Sequence, residues 1–248
     1  MDFKVIGCET IEQMGLIRIP ECRKNSGGVE RLVYELFDAC SAAASESDVR
    51  VVVLAGVEKI SSWTAGQGIE EIAPLSLTGP IASLEKPVIA GTEGDAIGCG
   101  LELLLSCDIR IGAEGSCFGF DQLEKGLIPH QGGTQRLARL IGKGRALEMI
   151  LTGSIIDAPE AFQIGLIHRM APPRDLNGVL MDIGRDMASK SPISLNYAKE
   201  TINAGMDMTL DQGLRLEADL YMLMHTTRDR TEGIRAFQEK RSPEFKGE

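Results

Sequence analysis

The chain is short of positive charge. Its 248 residues include 26 Lys and Arg against 36 Asp and Glu, which gives a net charge of -10 and a pI of about 4.9. Such a balance disfavours an extended basic surface of the kind that nucleic acids or anionic membranes require. A local group of Arg and Lys could still hold a small phosphate-bearing ligand. We therefore expect neither nucleic acid nor membrane as a partner.

Metal-binding patterns and long apolar runs are also missing. The six cysteines form no CxxC pair and the chain has three histidines, so we expect no metal site and no disulfide framework. No apolar run approaches the roughly 20 residues that span a bilayer. The first eight residues lack the basic and apolar segments of a signal peptide. These absences predict a cytoplasmic protein with reduced thiols.

Strands and helices alternate in the first two thirds of the chain. Hydrophobic periodicity predicts an opening hairpin of strands 3–8 and 14–19, an amphipathic helix over 29–44 and a buried strand over 50–55. The adjacent prolines 172 and 173 mark a break in composition, and only helices are predicted after it. The order of elements predicts a layered α/β core over 1–171 and a helical region over 172–248.

The stretch 86–140 has the most distinctive chemistry. A buried strand over 87–92 is followed by Gly94, Gly98 and Gly100, and then by a leucine-rich helix over 101–107. Glycines before a helix allow a ligand to approach its free N–H groups. Glu102 is the one carboxylate within this helix, and an ionised carboxylate is costly to bury without partners. The pattern indicates a functional site.

Several segments, in order, resemble the crotonase (enoyl-CoA hydratase/isomerase) family across essentially the whole chain. The matching segments are WTAGQGIEEI, KPVIAGTEGDAIGCGLELLLSCDIRIG, FGFDQLEKGLIPHQGGTQRLARLIGKGRALEMILTG, FQIGLIHRM and EGIRAFQEKRSPEF. The resemblance implies an α/β fold built as a spiral of ββα units with a helical C-terminal part. It also implies assembly as a homotrimer or dimer of trimers through residues 172–248, and an acyl-CoA thioester as ligand. No separate cofactor is implied, because coenzyme A belongs to the substrate.

The resemblance also implies an oxyanion hole, in which two backbone N–H groups hold the thioester oxygen as negative charge develops. Those donors correspond to Gln67 and Cys99, where relatives usually have smaller residues. Further positions are implied to contact substrate or CoA: Ala65, Gly66, Gly68, Ile69, Gly98, His130, Phe237 and Lys240.

Hydratases of this family use two glutamates, and only one is present here. The first corresponds to Glu102, whereas the second position holds Gln122. An amide can orient a water molecule but cannot exchange a proton near neutral pH. Asp121, Glu124 or His130 could replace the missing group, although an exposed loop position is the favoured interpretation of His130.

Hydration or dehydration of an enoyl-CoA, or of a dienoyl-CoA, is the first functional prediction because Glu102 is retained. Double-bond isomerisation is the second, and thioester hydrolysis or decarboxylation the third. A subunit that binds acyl-CoA without catalysis is the alternative of a different class.

Overall fold

Buried β-branched runs build a six-stranded sheet at the centre of the fold. The computed structural model describes residues 3–22, 28–64 and 75–248. The strand order is β1-β2-β3-β4-β6-β9, with β1 antiparallel to β2 and the remaining neighbours parallel. The strands of this sheet are β1 Gly7–Ile11, β2 Met14–Arg18, β3 Val51–Ala55, β4 Val88–Thr92, β6 Ile109–Ala113 and β9 Arg169–Ala171.

Helices follow most of the strands and cover both faces of the sheet. In the described residues the helices are α1 Gly28–Ser45, α2 Ile60–Thr64, α3 Gly79–Ala82, α4 Cys99–Leu105, α5 Gly133–Ile141, α6 Lys143–Thr152, α7 Ala158–Gln163, α8 Leu176–Ala188, α9 Pro192–Gly205, α10 Leu210–Met224 and α11 Arg228–Glu239. Short 3₁₀ turns occupy Val57–Lys59, Leu123–Lys125 and Pro173–Asp175.

Strand β3 shows how the sheet is packed on both sides. Val52 and Leu54 face one core with α1 and α4, while Val51 and Val53 face a second core with α8. All four side chains are at most 1% exposed. Successive side chains of a strand point to opposite faces, so a continuous apolar run is what a sheet covered on both faces requires.

A second, three-stranded sheet positions the candidate site. It contains β5 Ala96–Ile97, β7 Cys117–Gly119 and β8 Ile156–Asp157, in the order β5-β7-β8. The N–H of Gly98 extends the β5–β7 pairing by donating to the carbonyl of Gly119 at 3.0 Å. This pairing brings the start of α4 beside the chain that leaves β7. Glu102 and Gln122 lie on those two segments.

The prediction for the first strand was wrong in its position. It was placed over residues 3–8, whereas β1 is Gly7–Ile11. The N–H groups of Val5 and Ile6 donate to the carboxylate of Glu35, at 2.8 and 3.1 Å, instead of to a neighbouring strand. A side chain of α1 therefore satisfies the backbone just before β1, and the strand begins later.

The chain after Ala171 is helical, as predicted. Helix α8 nevertheless packs on the sheet, because Leu176 and Leu180 join the core formed with Ile89 and Ile111. The domain boundary at 171/172 and the trimerisation role of residues 172–248 stay predictions. No helix in the described residues is long and apolar enough to cross a membrane.

Candidate active site

Glu102 lies in the first turn of α4 and is fully buried, at 0% exposure. Leu101, Leu103 and Leu104 on the same helix are also 0% exposed and belong to the core. Such a helix can hold a carboxylate only where other segments supply hydrogen-bond donors to it.

Three donors hold the Glu102 carboxylate. Oε1 accepts the backbone N–H groups of Gln131 at 2.7 Å and Gly133 at 2.9 Å. Oε2 accepts the side-chain Nε2 of Gln122 at 3.2 Å. The two oxygens thus differ, since Oε1 is held by the main chain and Oε2 by one amide. Oε2 is the oxygen with more capacity for a further partner.

Burial raises the pKa of Glu102 above its ordinary value, because a charged carboxylate loses its hydration in the core. The N–H groups of Gly133 and Gln131, the charge of Arg136 and the amide of Gln122 oppose this shift in the pKa without cancelling it. A carboxyl group with a raised pKa is suited to exchange protons under mild conditions.

Gly133 allows helix α5 to approach Glu102 closely. A Cβ at position 133 would lie 2.9 Å from Glu102 Oε1 and 2.8 Å from Phe120 Cε1. Gly133 is also the first residue of α5, so its N–H is one of the groups that the helix leaves without a carbonyl partner. The positive end of the helix dipole therefore faces the carboxylate.

Gln122 occupies the position at which the resemblance implies a second glutamate. It is 6% exposed, and its amide faces Glu102 through the 3.2 Å hydrogen bond. Its Oε1 is buried and has no hydrogen-bond donor among the described residues. This oxygen is an acceptor that a water molecule or a ligand could satisfy.

The neighbouring carboxylates make no side-chain hydrogen bond to Glu102 or Gln122, and their role as a replacement stays a prediction. Asp121 forms an ion pair with Lys125 at 2.6 Å and its side chain is 35% exposed. Glu124 is exposed. The side chains of Glu102 and Gln122 bond to each other, and that of Glu102 also accepts the N–H groups of Gln131 and Gly133. His130 is likewise exposed in the loop before α5.

Cys99 is the first residue of α4, so its N–H has no carbonyl one turn earlier to which it could donate. Gly98 precedes it with φ 58° and ψ -121°, a conformation that favours glycine. Burial, together with the negative charges of Glu102 and Asp121, raises the pKa of the Cys99 thiol to about 12. The side chain at this predicted donor is therefore a neutral thiol.

The other predicted site positions are not among the contacts of Glu102 and Gln122 described above. The other predicted oxyanion donor lies outside the described residues, as do its neighbours; these positions are Gln67, Ala65, Gly66, Gly68 and Ile69. Phe237 is 85% exposed, and Lys240 is exposed at the C-terminal end of α11. Their contact with CoA stays a prediction. In the described ranges, no group of three or more His, Cys, Asp or Glu side chains could hold a metal ion.

Gln131 was not singled out from the sequence, although it donates to Glu102. It is 7% exposed, and its side chain bonds the backbone of Leu75 and Leu77. Arg136 donates to the carbonyl of Gln131 at 2.9 Å. The only signal in the sequence is a long amide side chain directly before the two glycines that open α5.

Replacing Glu102 by glutamine should make the protein more stable near neutral pH. The introduced amide can accept both backbone N–H groups, and its own N–H can donate to Oε1 of Gln122 once that amide rotates. Since the folded-state pKa of Glu102 is raised, the free energy of unfolding of the wild type falls as pH rises from about 4.5 through that pKa. We expect the melting temperature of the variant to exceed that of the wild type by a few degrees at pH 8. This corresponds to on the order of 1 kcal/mol in the free energy of unfolding, and the difference should shrink towards pH 4.

Thermal melts across this pH range test the expectation. Glu124→Gln, at an exposed position, is the matched control and should show no such trend. A Glu102→Gln variant less stable than wild type at pH 8 would contradict a desolvation cost at this position.

Comparison with known proteins identifies the family and the fold of this chain. A model of the enoyl-CoA hydratase/isomerase family matches residues 13–248. A Rhizobium meliloti protein named Probable enoyl-CoA hydratase is 35% identical, with 99% of each chain covered. The 2,3-dehydroadipyl-CoA hydratase of Escherichia coli is 34% identical over 87% of this chain and 88% of that protein.

Solved structures agree with the sequence comparison. The enoyl-CoA hydratase structure from Bacillus anthracis superposes with a TM-score of 0.90 at 34% identity, and covers 99% of this chain and 100% of that one. A Geobacillus kaustophilus enoyl-CoA hydratase subunit gives a TM-score of 0.86 at 30% identity, with 100% of both chains covered. The predicted α/β spiral with a helical C-terminal part is thereby confirmed. The chain belongs to the enoyl-CoA hydratase/isomerase family and has the crotonase fold.

Proposed function

We propose that this chain hydrates an α,β-unsaturated acyl-CoA with Glu102 as the only proton-exchanging carboxylate and Gln122 as the group that orients water. The observation that carries the proposal is the 3.2 Å contact between Gln122 Nε2 and Glu102 Oε2, with Oε1 of the same amide buried and unpaired in the described residues. The names of relatives support the hydratase class, and they include enoyl-CoA and 2,3-dehydroadipyl-CoA hydratases.

The two side chains could hold one water molecule by both of its protons. One O–H would donate to Oε2 of Glu102 and the other to Oε1 of Gln122. A lone pair of the water oxygen would then be free to attack the β-carbon of the substrate. The amide suits this role because it accepts a hydrogen bond without taking the proton.

Addition then proceeds through an enolate. The water oxygen bonds to the β-carbon, Glu102 takes the water proton, and the electrons of the double bond move to the thioester oxygen. The N–H of Cys99, with that of Gln67 as the second predicted donor, would stabilise this oxyanion. Glu102 next gives the proton to the α-carbon and returns to a carboxylate. The net change is the addition of H and OH across the double bond.

Double-bond isomerisation is a second candidate, because a single carboxylate can move a proton between two carbons without using water. Glu102 alone would suffice for that proton transfer. The same oxyanion donors would serve, since the intermediate is also a thioester enolate.

The candidate reactions can be distinguished by incubating the protein with a panel of acyl-CoA thioesters in water enriched in ¹⁸O and deuterium. The panel includes enoyl, dienoyl and dehydrodioyl chains, and the products are analysed by mass spectrometry. Hydration adds ¹⁸O to the acyl chain while the thioester stays intact, whereas isomerisation adds no ¹⁸O and gives a double-bond isomer that chromatography separates from the substrate. Hydrolysis places ¹⁸O in a free carboxylate, and decarboxylation loses CO₂. The proposal requires the first pattern in at least one substrate. Binding with neither a mass change nor a new isomer would identify a non-catalytic subunit.

Glu102→Gln should lower the turnover of the best substrate by about 10²–10⁴-fold, because the amide cannot exchange the proton. Binding of CoA, measured by calorimetry, should change little. Turnover by Glu124→Gln should match the wild type. A Glu102→Gln enzyme within tenfold of wild-type turnover would remove Glu102 from the mechanism.

Gln122→Glu should raise the hydration of crotonyl-CoA. The new carboxylate would lie beside Oε2 of Glu102, and two such groups cannot both ionise readily, so the pair would share a proton that can be delivered to the α-carbon. Gln122→Met, which removes the amide without adding a carboxylate, is the control and should lower the rate. A lower rate for Gln122→Glu as well would indicate that the native pocket requires the amide itself.

We also propose a homotrimer or dimer of trimers in which the C-terminal helices form contacts between subunits. Large apolar side chains on these helices are solvent-exposed in the single chain, which is unusual unless another surface covers them. They include Ile202, Met206, Leu210, Tyr221 and Met222, each at least 63% exposed. Sedimentation analysis tests this, and a monomer would contradict it.

A further inference from the structure

Gln131 connects the loop before α5 to the main chain of residues 75–77 through its side chain. Its Oε1 accepts the N–H of Leu77 at 2.9 Å, and its Nε2 donates to the carbonyl of Leu75 at 2.7 Å. The amide therefore pairs with the main chain of residues 75–77 much as a neighbouring strand would. Both polar atoms of a side chain that is 7% exposed are satisfied in this way.

The main chain of Gln131 is occupied as well. Its N–H donates to Oε1 of Glu102 at 2.7 Å, the shortest of the three hydrogen bonds on that carboxylate. Its carbonyl accepts the hydroxyl of Thr78 at 2.8 Å and the guanidinium of Arg136 at 2.9 Å. One residue thus holds the carboxylate, the segment 75–78 and the start of α5.

We propose that Gln131 is a positioning residue, which sets the place of the Glu102 carboxylate relative to the segment 75–78. This inference rests on the proposed function, in which Glu102 exchanges the proton. Gln131 thereby links the proton-exchanging group to the main chain of residues 75–78, which belongs neither to α4 nor to α5. A small error in that relative position is costly, because proton transfer requires near-ideal geometry.

Only glutamine satisfies all of these contacts. Methionine has a similar length but no polar atoms to bond Leu75 and Leu77. Glutamate could accept the N–H of Leu77, yet it would place a negative charge against the carbonyl of Leu75. Asparagine is one methylene shorter and could not reach both groups while the N–H at 131 remains on Glu102.

Loss of the Gln131 side chain should also affect the protonation of Glu102. The charged group that acts on this carboxylate is Arg136 of α5. Cys99 is the neighbouring thiol on its own helix, and the Asp121–Lys125 pair acts on Cys99. None of these is changed by a substitution at 131. A looser hydrogen bond from the 131 N–H stabilises the ionised form less, so the pKa of Glu102 should rise further.

The test compares Gln131→Met with Gln135→Met, which removes an exposed glutamine from the next turn of the same segment. We expect kcat of Gln131→Met to fall by about 10- to 100-fold with less than a threefold change in KM. The acidic limb of its kcat/KM profile should move to higher pH. Gln131→Glu should not restore the rate, and Gln135→Met should behave as the wild type.

A merely structural role gives a different result. The melting temperature and the active fraction of Gln131→Met would then fall, while kcat per active site and the pH profile would match the wild type. That outcome would overturn the proposal, as would a full rate for Gln131→Met.

An infrared titration keeps this inference separate from the proposed function. The carboxyl band of Glu102, identified by subtracting the spectrum of Glu102→Gln, can be followed against pH in both wild type and Gln131→Met. The band should titrate at higher pH in Gln131→Met, and an unchanged titration would contradict the role of Gln131. If the wild type hydrates no thioester, the proposed function fails, yet this measurement still decides whether Gln131 positions Glu102.

Discussion

The site depends on one unfavourable burial and on the hydrogen bonds that offset it. Glu102 is fully buried within a leucine-rich helix, where an unpaired carboxylate would be very costly. Two N–H groups at the start of α5 and one amide after β7 compensate for the lost hydration. Because these donors come from separate segments, the carboxylate also defines where those segments meet. These contacts lower the pKa of Glu102, but burial raises it by more, so the pKa stays above its ordinary value.

Gln122 changes what this arrangement can do. With a second carboxylate, two groups could divide the work of activating water and protonating carbon. In the proposed mechanism one oxygen of Glu102 serves both steps, and the amide of Gln122 donates a hydrogen bond to that oxygen. The amide does not titrate, but it has one donor for Glu102 and one acceptor for a ligand, so it can orient both groups. The proposed chemistry is therefore narrower, and the oxyanion donors at Gln67 and Cys99 stay a prediction.

Hydrophobic periodicity predicted the helices and strands that are long enough to show it. Helix α1 was expected over 29–44 and is Gly28–Ser45, and β3 was expected over 50–55 and is Val51–Ala55. The three-stranded sheet was missed because its strands have two or three residues, too few to show a period, and pair over long range. Glu102 was singled out as the one carboxylate in a leucine-rich helix, and Gln122 by the resemblance. Gln131 was missed because its contacts are with distant backbone groups.

The neutral thiol at Cys99 affects how well the site resists alkylation by an unsaturated thioester. An α,β-unsaturated thioester is an electrophile, and a thiolate near its β-carbon would add to it and block the site. Thiolates are the reactive form of cysteine, whereas the protonated thiol is a poor nucleophile. Burial and the negative charges of Glu102 and Asp121 keep Cys99 protonated, with a pKa of about 12. The carboxylate that would activate the substrate's water thus also protects the neighbouring cysteine from alkylation by that substrate.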